Sequence, residues 1–213
     1  MSDRIDFVTP IGRLVAGSVS KPNTTDMQGQ PLVYKTGQNA GQPRVEYFMA
    51  LAVEKTNPEV DDFRRKMAQC AQTSFPGGES QNPHFSWKMD DGDGVDSQGK
   101  PFAEREGYAG CWVFKFTGSF APRCFHEGGA GAMDPEKVYR GCFIRISGNM
   151  TGNGNRQKPG IYLNHDMIEF KGHGAEIRTG PDAATVFGNN QPQHVPQGMS
   201  QQPVAPQSGG MPG

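Results

Sequence analysis

The sequence predicts a mainly β fold, a small closed barrel with one α-helix packed on it. About five segments alternate apolar and polar residues with the period of a β-strand, whereas one segment between the second and third repeats its apolar residues at helical spacing. The chain also holds 29 glycines and 17 prolines, which suit long loops and turns. We interpret this pattern as a five-stranded OB-type barrel with long loops, and a small open β-sandwich is the alternative.

The first two strands are separated by a long polar loop. Residues 5–19 read as a strand punctuated by Pro10 and Gly12, and Pro10 confines its start to an edge or a bend. Residues 22–43 are rich in Gly, Gln, Asn and Thr and predict a loop. Residues 44–55 form the clearest strand, and its core face is predicted to carry Val45, Tyr47, Met49, Leu51 and Val53.

A helix begins at Asn57-Pro58, because Asn is a good N-cap and Pro suits the first helical position. Three acidic residues in the first turn complement the helix dipole. Pro76 and the two glycines after it end the helix. The apolar stripe, which we expect to pack on the core, consists of Val60, Phe63, Met67, Cys70 and Ala71.

Two more strands are predicted before the end of the barrel. The segment 84–89 is a short candidate, and 110–118 is a clear strand that carries Trp112, Phe114 and Phe116 on one face. The pattern leaves open whether these three rings fill the core or face a ligand.

The segment 138–170 predicts a β-hairpin with a polar, positively charged tip. Its first strand, expected over 138–146, places aliphatic residues on one face, which can enter a core. The other face carries Tyr139, Phe143 and Arg145, which a solvated face does not need.

The chain divides into a predicted domain, 1–187, and a predicted disordered tail, 188–213. The tail has no charged residue and is dominated by Gln, Pro, Gly and Asn. Such a segment cannot bury enough surface to offset its chain entropy.

Composition excludes several classes of protein. The net charge is -1, so any binding of nucleic acid must depend on a local arrangement of charge. We expect neither a signal peptide nor a membrane span, because the sequence contains no long apolar run. The four cysteines form no CxxC pair, which favours reduced thiols in a cytosolic protein.

No motif predicts catalysis or a metal cofactor. The acidic segment 90–96 resembles a calcium loop, which needs a Glu at its twelfth position. Counted from Asp91, the twelfth residue is Phe102, so we expect an acidic turn instead. Cys124 and His126 could donate two metal ligands, but the second pair typical of structural zinc is missing. Neither a nucleophile elbow nor a phosphate-binding loop is present, so we expect no enzyme.

The remaining signal is aromatic residues interleaved with basic ones, which is the chemistry that holds single-stranded nucleic acid. Rings stack on bases, and cations follow the phosphates. The candidate residues are Arg13, Trp112, Lys115, Tyr139, Phe143, Arg145, Arg156, Tyr162 and Lys171.

The order of these landmarks resembles the phage single-stranded DNA-binding proteins of the T7-type replication family and related OB-fold proteins of other tailed phages. The resemblance covers about residues 8–172. It lies in a first strand that ends in Lys21-Pro22-Asn23, the segment VEYFMALAVEK with the helix after it, the segment FSWKMDDGDG, and the hairpin from VYRGCFIRISG to GIYLNHDMIEF.

The resemblance implies an OB-fold that binds single-stranded DNA during phage replication and recombination, in the host cytoplasm. It also implies a homodimer and recruitment of phage replication proteins through an acidic tail. This chain departs from the pattern in its tail, which is uncharged and ends MPG.

Two other functions compete with DNA binding. A virion or assembly protein could use a β-barrel together with a Gly/Pro/Gln-rich tail. A metal-dependent nuclease would need acidic residues converging on a cleft, whereas the acids of 90–96 are local in sequence.

Overall fold

A computed structural model describes residues 4–26, 28–35, 37–178 and 180. These residues form eight strands and one α-helix longer than a single turn. In chain order the elements are β1 (Ile5–Val8), β2 (Gly12–Gly17), β3 (Tyr47–Glu54), α1 (Glu59–Ser74), β4 (Met89–Asp91), β5 (Cys111–Gly118), β6 (Arg123–Phe125), β7 (Phe143–Gly152) and β8 (Ile161–Gly172).

Five of the strands close a barrel in the order β2-β3-β5-β8-β7 and back to β2. Its neighbours are antiparallel except β5 and β8, which pair in parallel through Thr117 and Asn164. This is the connectivity of the predicted OB-type barrel, and closure excludes the open sandwich. β1 extends the edge beside β7, β4 lies beside β5, and β6 lies beside β8.

The barrel interior contains two of the three rings of 110–118 for which the sequence left open a core or a ligand-facing position. Phe114 and Phe116 are completely buried and belong to the core. The predicted helical stripe is confirmed, because all five of its members are buried. Phe63 lies edge-on between two rings, 5.3 Å from the ring centre of Phe7 and 4.9 Å from that of Phe114. α1 is therefore fixed to the barrel by an aromatic cluster.

A second apolar cluster lies on the outside of the barrel. Ala50, Ala52 and Val113 are buried there beneath Tyr108, so both faces of β3 are covered along its middle. The single core face predicted for this strand was therefore incomplete. The small side chains on β3 leave room for the loop 92–110 to pack directly on the sheet.

The acidic turn holds that loop in place. Lys55 forms ion pairs with Asp91 and, at 2.7 Å, with Asp93. The other carboxylate oxygen of Asp93 accepts the backbone N–H of Gly110 at 2.8 Å, and Asp96 pairs with Arg105. These carboxylates are bound by cations and amides of the chain itself, as expected for an acidic turn.

The hairpin differs from the prediction at its start. β7 pairs with β8 over ten positions, from Phe143–Gly172 to Gly152–Ile161, so the pairing is confirmed. The strand begins at Phe143 rather than at Val138, because Gly141 has φ 113° and lies against the Ala175 carbonyl. Tyr139 therefore does not belong to the strand, and the hairpin tip is 153–160.

Smaller differences occur in two other elements. The prediction of a strand over 84–89 is wrong, because strand pairing begins only at Met89. The earlier residues contribute one isolated bridge, between Ser86 and Gly160. α1 begins at Glu59 with Pro58 in the cap position, but the Asn57 side chain still accepts the Glu59 N–H at 2.9 Å.

The predicted tail, 188–213, lies outside the described residues. Of the helices in the described residues, none has the length and apolar character needed to cross a bilayer.

Candidate nucleic-acid interface

One end of the barrel gathers exposed aromatic and basic residues. There the end of the long loop 18–46 and the adjoining ends of β5 and β8 line a cavity of about 270 Å³. The hairpin tip 153–160 directly precedes β8, which places Tyr162 of the cavity two residues after it. In OB-folds oligonucleotides bind across the outer face of the second and third barrel strands, between these two loops. Here the loop 92–110 covers the middle of that face, and the cavity marks its open end, beside β8. We call it the Tyr162 face, and define it by Arg44, Lys88, Thr117, Phe120, Arg156, Lys158, Tyr162 and Asn164.

Tyr162 is the central ring of this face. Ile161 and Leu163 point into the core, so strand alternation turns Tyr162 outward, where 43% of its surface is exposed. The Lys88 ammonium lies 5.9 Å from the ring centre. One side of the ring can therefore accept a flat ligand beside a positive charge.

The cavity beside Tyr162 is polar. Its polar lining consists of Arg44, Glu46, Thr117, Ser119 and Asn164. The Arg44 guanidinium pairs with Glu46 at 2.9 Å. Asn164 donates to the Asn149 side chain at 3.1 Å, which fixes the amide in place. These groups offer hydrogen bonds to a polar ligand that stacks on the ring.

Phe120 adds a second exposed ring at this end. It follows Ser119, which lines the cavity, and 84% of its surface is exposed. Its ring is open to solvent and can stack on a base that reaches Ser119.

The hairpin tip, which directly precedes β8, carries two cations, Arg156 and Lys158. The Asn153 side chain donates to the Lys158 carbonyl at 2.8 Å and accepts the Asn155 N–H at 2.9 Å. The Asn155 side chain accepts the N–H groups of Gln157 and Lys158. The tip is therefore ordered by its own amides, with Arg156 4.0 Å from Glu79 and largely exposed.

Three of the nine residues predicted from sequence lie on or beside the Tyr162 face. Tyr162 and Arg156 belong to it. Lys115 lies two residues before Thr117 on the same side of β5, and its ammonium forms a 2.6 Å ion pair with Asp90.

Four other predicted residues lie elsewhere, around β7 and the start of β2. The Arg13 guanidinium donates to the Gly141 and Ala175 carbonyls and pairs with Glu106 at 3.1 Å. Arg145 donates to the Thr9 carbonyl at 2.9 Å. Tyr139 donates its hydroxyl to the Gly174 carbonyl, whereas Phe143 is 39% exposed. Backbone contacts occupy both guanidinium groups.

The last two predicted residues are engaged by neighbouring side chains. Trp112 is covered by Arg64 and Lys55, whose charged groups lie 4.4 and 4.9 Å from its ring. Lys171 pairs with Glu127 at 2.5 Å and with Glu169 at 3.6 Å, and the bond to Glu127 raises the pKa of Lys171.

Sequence reasoning missed Arg44, Lys88 and Phe120. Arg44 begins the segment interpreted as the clearest strand, Lys88 lies in the short predicted strand 84–89, and Phe120 follows the predicted strand 110–118. Lys88 has φ 55°, an uncommon backbone conformation for a residue other than glycine. A search of the loops that border an OB barrel for exposed rings and cations could have identified all three.

His165 lies directly behind this face. Its ring packs on Gly118, where a Cβ would lie 2.7 Å from it, and its Nε2 lies 3.2 Å from the Tyr47 carbonyl. Nδ1 is buried, with no hydrogen-bond partner among the described residues. Burial lowers the pKa of His165.

The two candidate metal ligands, Cys124 and His126, differ in their exposure to solvent. Cys124 is buried and His126 is exposed. Burial raises the pKa of Cys124 and of Cys142 to about 11. Within the described ranges, no three His, Cys, Asp or Glu side chains are grouped so as to hold a metal ion.

Comparison with solved structures identifies the fold. No family model matches the sequence, and neither does any curated protein. The single-stranded DNA-binding protein from bacteriophage Enc34, solved in complex with ssDNA, matches with a TM-score of 0.57 and 17% identity, over 81% of this chain and 89% of that chain. The chain has the fold of a phage single-stranded DNA-binding protein.

Two further structures support the same assignment. A second structure of the Enc34 protein matches with a TM-score of 0.56 and 17% identity, over 84% of this chain and 88% of that chain. gp2.5, a single-stranded DNA-binding protein encoded by bacteriophage T7, matches with a TM-score of 0.53 and 13% identity, over 95% and 99%. The resemblance inferred from the order of landmarks is confirmed at the level of fold.

Proposed function

We propose that this chain is a non-catalytic protein that binds single-stranded DNA through the Tyr162 face, without preference for base sequence. The observation that carries the proposal is the exposed ring of Tyr162, with Lys88 beside it, at the open end of the face where OB-folds bind oligonucleotides. The shared fold supports it, because the Enc34 protein was solved with ssDNA.

The chemistry of the face explains why binding would tolerate any sequence. Every base has a π-face, so stacking on Tyr162 and Phe120 contributes about 1–3 kcal/mol per base whichever base is present. Lys88, Arg156 and Lys158 supply charge for phosphates, and Arg44 can do so by exchanging Glu46 for a phosphate. Lys115 can join them by exchanging Asp90 for a phosphate. Trp112, Tyr139, Arg145 and Lys171 stay predicted DNA contacts, whereas Arg13 and Phe143 line a separate cavity and are not expected to contact DNA.

The biological setting is part of the same proposal. We place the protein in phage DNA replication and recombination in the host cytoplasm, where exposed single strands need protection, with replication proteins as partners and a homodimer as the assembly. The solved proteins that share the fold are phage proteins, which supports this setting. We also retain the division into a binding domain, 1–187, and a tail, 188–213.

Titration of fluorescein-labelled dT20 by anisotropy at low salt tests the proposal. We expect Tyr162→Ala to weaken binding by about 5- to 150-fold, the loss of one stacked base. Tyr162→Phe keeps the ring and should bind nearly as well as the unchanged protein.

The same titration separates errors of function from errors of site. No measurable affinity of the unchanged protein for dT20 would contradict the function. Full affinity in both Tyr162→Ala and Phe120→Ala would leave the function standing and refute the face.

A further inference from the structure

A second cavity, of about 460 Å³, lies at the opposite end of β5. Cys111 lines this cavity and Thr117 lines the first, so six residues of strand, about 20 Å, separate them. The covered part of the barrel lies between, with Val113 buried beneath Tyr108. The two cavities are therefore separate surfaces.

The walls of the second cavity are mainly apolar. Phe143 and Ile11 are 39% and 45% exposed, and Ala52 and Ala109 complete the apolar lining. Phe143 pairs with Arg13 across the β2–β7 ladder, and Ile11 directly precedes β2, so the two exposed apolar side chains lie close to each other. We call this surface the Phe143 cavity.

Its charge is unsuited to DNA. Arg13 lines the cavity, but its guanidinium is engaged by the Gly141 and Ala175 carbonyls and by Glu106. Glu54 also lines the cavity and is exposed, and in the described part of the chain no hydrogen bond or ion pair engages its carboxylate. The uncompensated charge is therefore negative, and a phosphate would be repelled there.

We propose that the Phe143 cavity is a docking site for a segment of a partner protein that carries an apolar side chain next to a lysine or arginine. The apolar side chain fills the cavity between Phe143 and Ile11, and the cation pairs with Glu54. Aromatic and aliphatic anchors in such pockets supply most of the energy of protein–protein contacts, while a rim charge selects the partner. This inference does not rest on DNA binding.

Cys111 gives the cavity its own reporter. It is half-exposed, whereas Cys70, Cys124 and Cys142 are buried. Burial, with the nearby carboxylates of Glu54 and Asp93, raises the pKa of Cys111, so labelling by a maleimide is slow and easily followed in time. An occupant of the cavity shields this thiol.

The test begins with a displayed library of random 12-residue peptides selected against the full chain. Selected peptides are then synthesised and titrated with the unchanged protein. We expect them to share an apolar residue beside Lys or Arg, and to slow the labelling of Cys111 while bound.

Matched variants locate the contact. Phe143→Ser should lower the affinity for the selected peptides by about tenfold or more, which is the scale of a hot-spot truncation. Glu54→Gln should weaken them by about two- to fivefold, as for an exposed ion pair. Glu136→Gln, an exposed carboxylate on another loop, is the control and should have no effect.

Four results would overturn the inference: no enriched peptide, enriched peptides that are acidic, equal binding to Phe143→Ser, or unchanged Cys111 labelling with peptide bound. A loss of dT20 affinity in Phe143→Ser would also overturn it, and would place Phe143 in the DNA path instead. Failure of dT20 to bind the unchanged protein would bear on the proposed function alone.

Discussion

Tyr162 and Trp112 are both aromatic residues on alternating barrel strands, but their surroundings differ. Trp112 lies under Arg64 from α1 and Lys55 from the segment before it. Tyr162 has only the tip of Lys88 near its ring and stays 43% exposed. The strand period gives the direction of a side chain, but what covers that side chain comes from elements distant in sequence. This is why sequence could nominate both rings but could not separate them.

His165 provides a pH-dependent test at the level of one residue. Burial lowers its pKa below the ordinary 6.5, so the folded chain takes up this proton less readily than the unfolded chain does. The associated stability is complete above pH 6.5 and is lost as the pH falls toward the lowered pKa. Protonation would also place an N–H at Nδ1, which is buried without a partner.

We expect His165→Gln to remove part of the fall in the urea midpoint between about pH 7.5 and about pH 5.5. His84→Gln, which changes an exposed histidine, should keep the full fall. An identical pH dependence in the two variants would show that His165 does not titrate in this range.

At the level of elements, sequence predicted α1 better than the hairpin. The helical stripe follows from local spacing, and every one of its members is buried. The start of β7 depends on Gly141, whose close approach to the Ala175 carbonyl is a contact across 34 residues of sequence. Alternation alone extended the strand back to Val138, because it could not detect this non-local constraint.

The docking of α1 can be measured through Phe63. Its ring lies between Phe7 and Phe114 and is almost fully buried. We expect Phe63→Ala to lower the free energy of unfolding by about 3–5 kcal/mol, because it removes a large core side chain and leaves a cavity.

Lys66→Ala, on the exposed side of the same helix, serves as the control in denaturant titrations. It should change the free energy of unfolding by less than about 0.5 kcal/mol. Comparable losses in both variants would mean that the helix is held by something other than the aromatic cluster.

For the whole molecule, net charge and binding charge are different quantities. The chain carries a net charge of -1, yet Arg44 and Lys88 lie at Tyr162, and Arg156 and Lys158 lie on the hairpin tip that directly precedes its strand. The acidic residues that balance them elsewhere are largely used in holding loops, as Asp91 and Asp93 hold the loop 92–110. The sequence predicted that any binding of nucleic acid depends on a local arrangement of charge. The Tyr162 face itself is formed by four segments that are distant in sequence, so it could be identified only in the folded barrel.

The salt dependence of dT20 binding tests this arrangement. Four phosphate contacts predict a slope of about -3 for log Kobs against log salt, at about -0.7 per contact on a single strand. Lys88→Ala should make the slope shallower by about 0.7, whereas Lys66→Ala should leave it unchanged. A slope near zero in the unchanged protein would exclude phosphate contacts as a main source of affinity.

The hairpin tip has a consequence for the speed of binding. Asn153 and Asn155 fix its backbone before any ligand arrives. When a single strand of DNA contacts Arg156 and Lys158, the loop that carries them is already ordered. Little conformational entropy is therefore lost on binding. Association should therefore be fast and nearly the same for different bases, and differences in affinity between DNA sequences should appear in how long each stays bound.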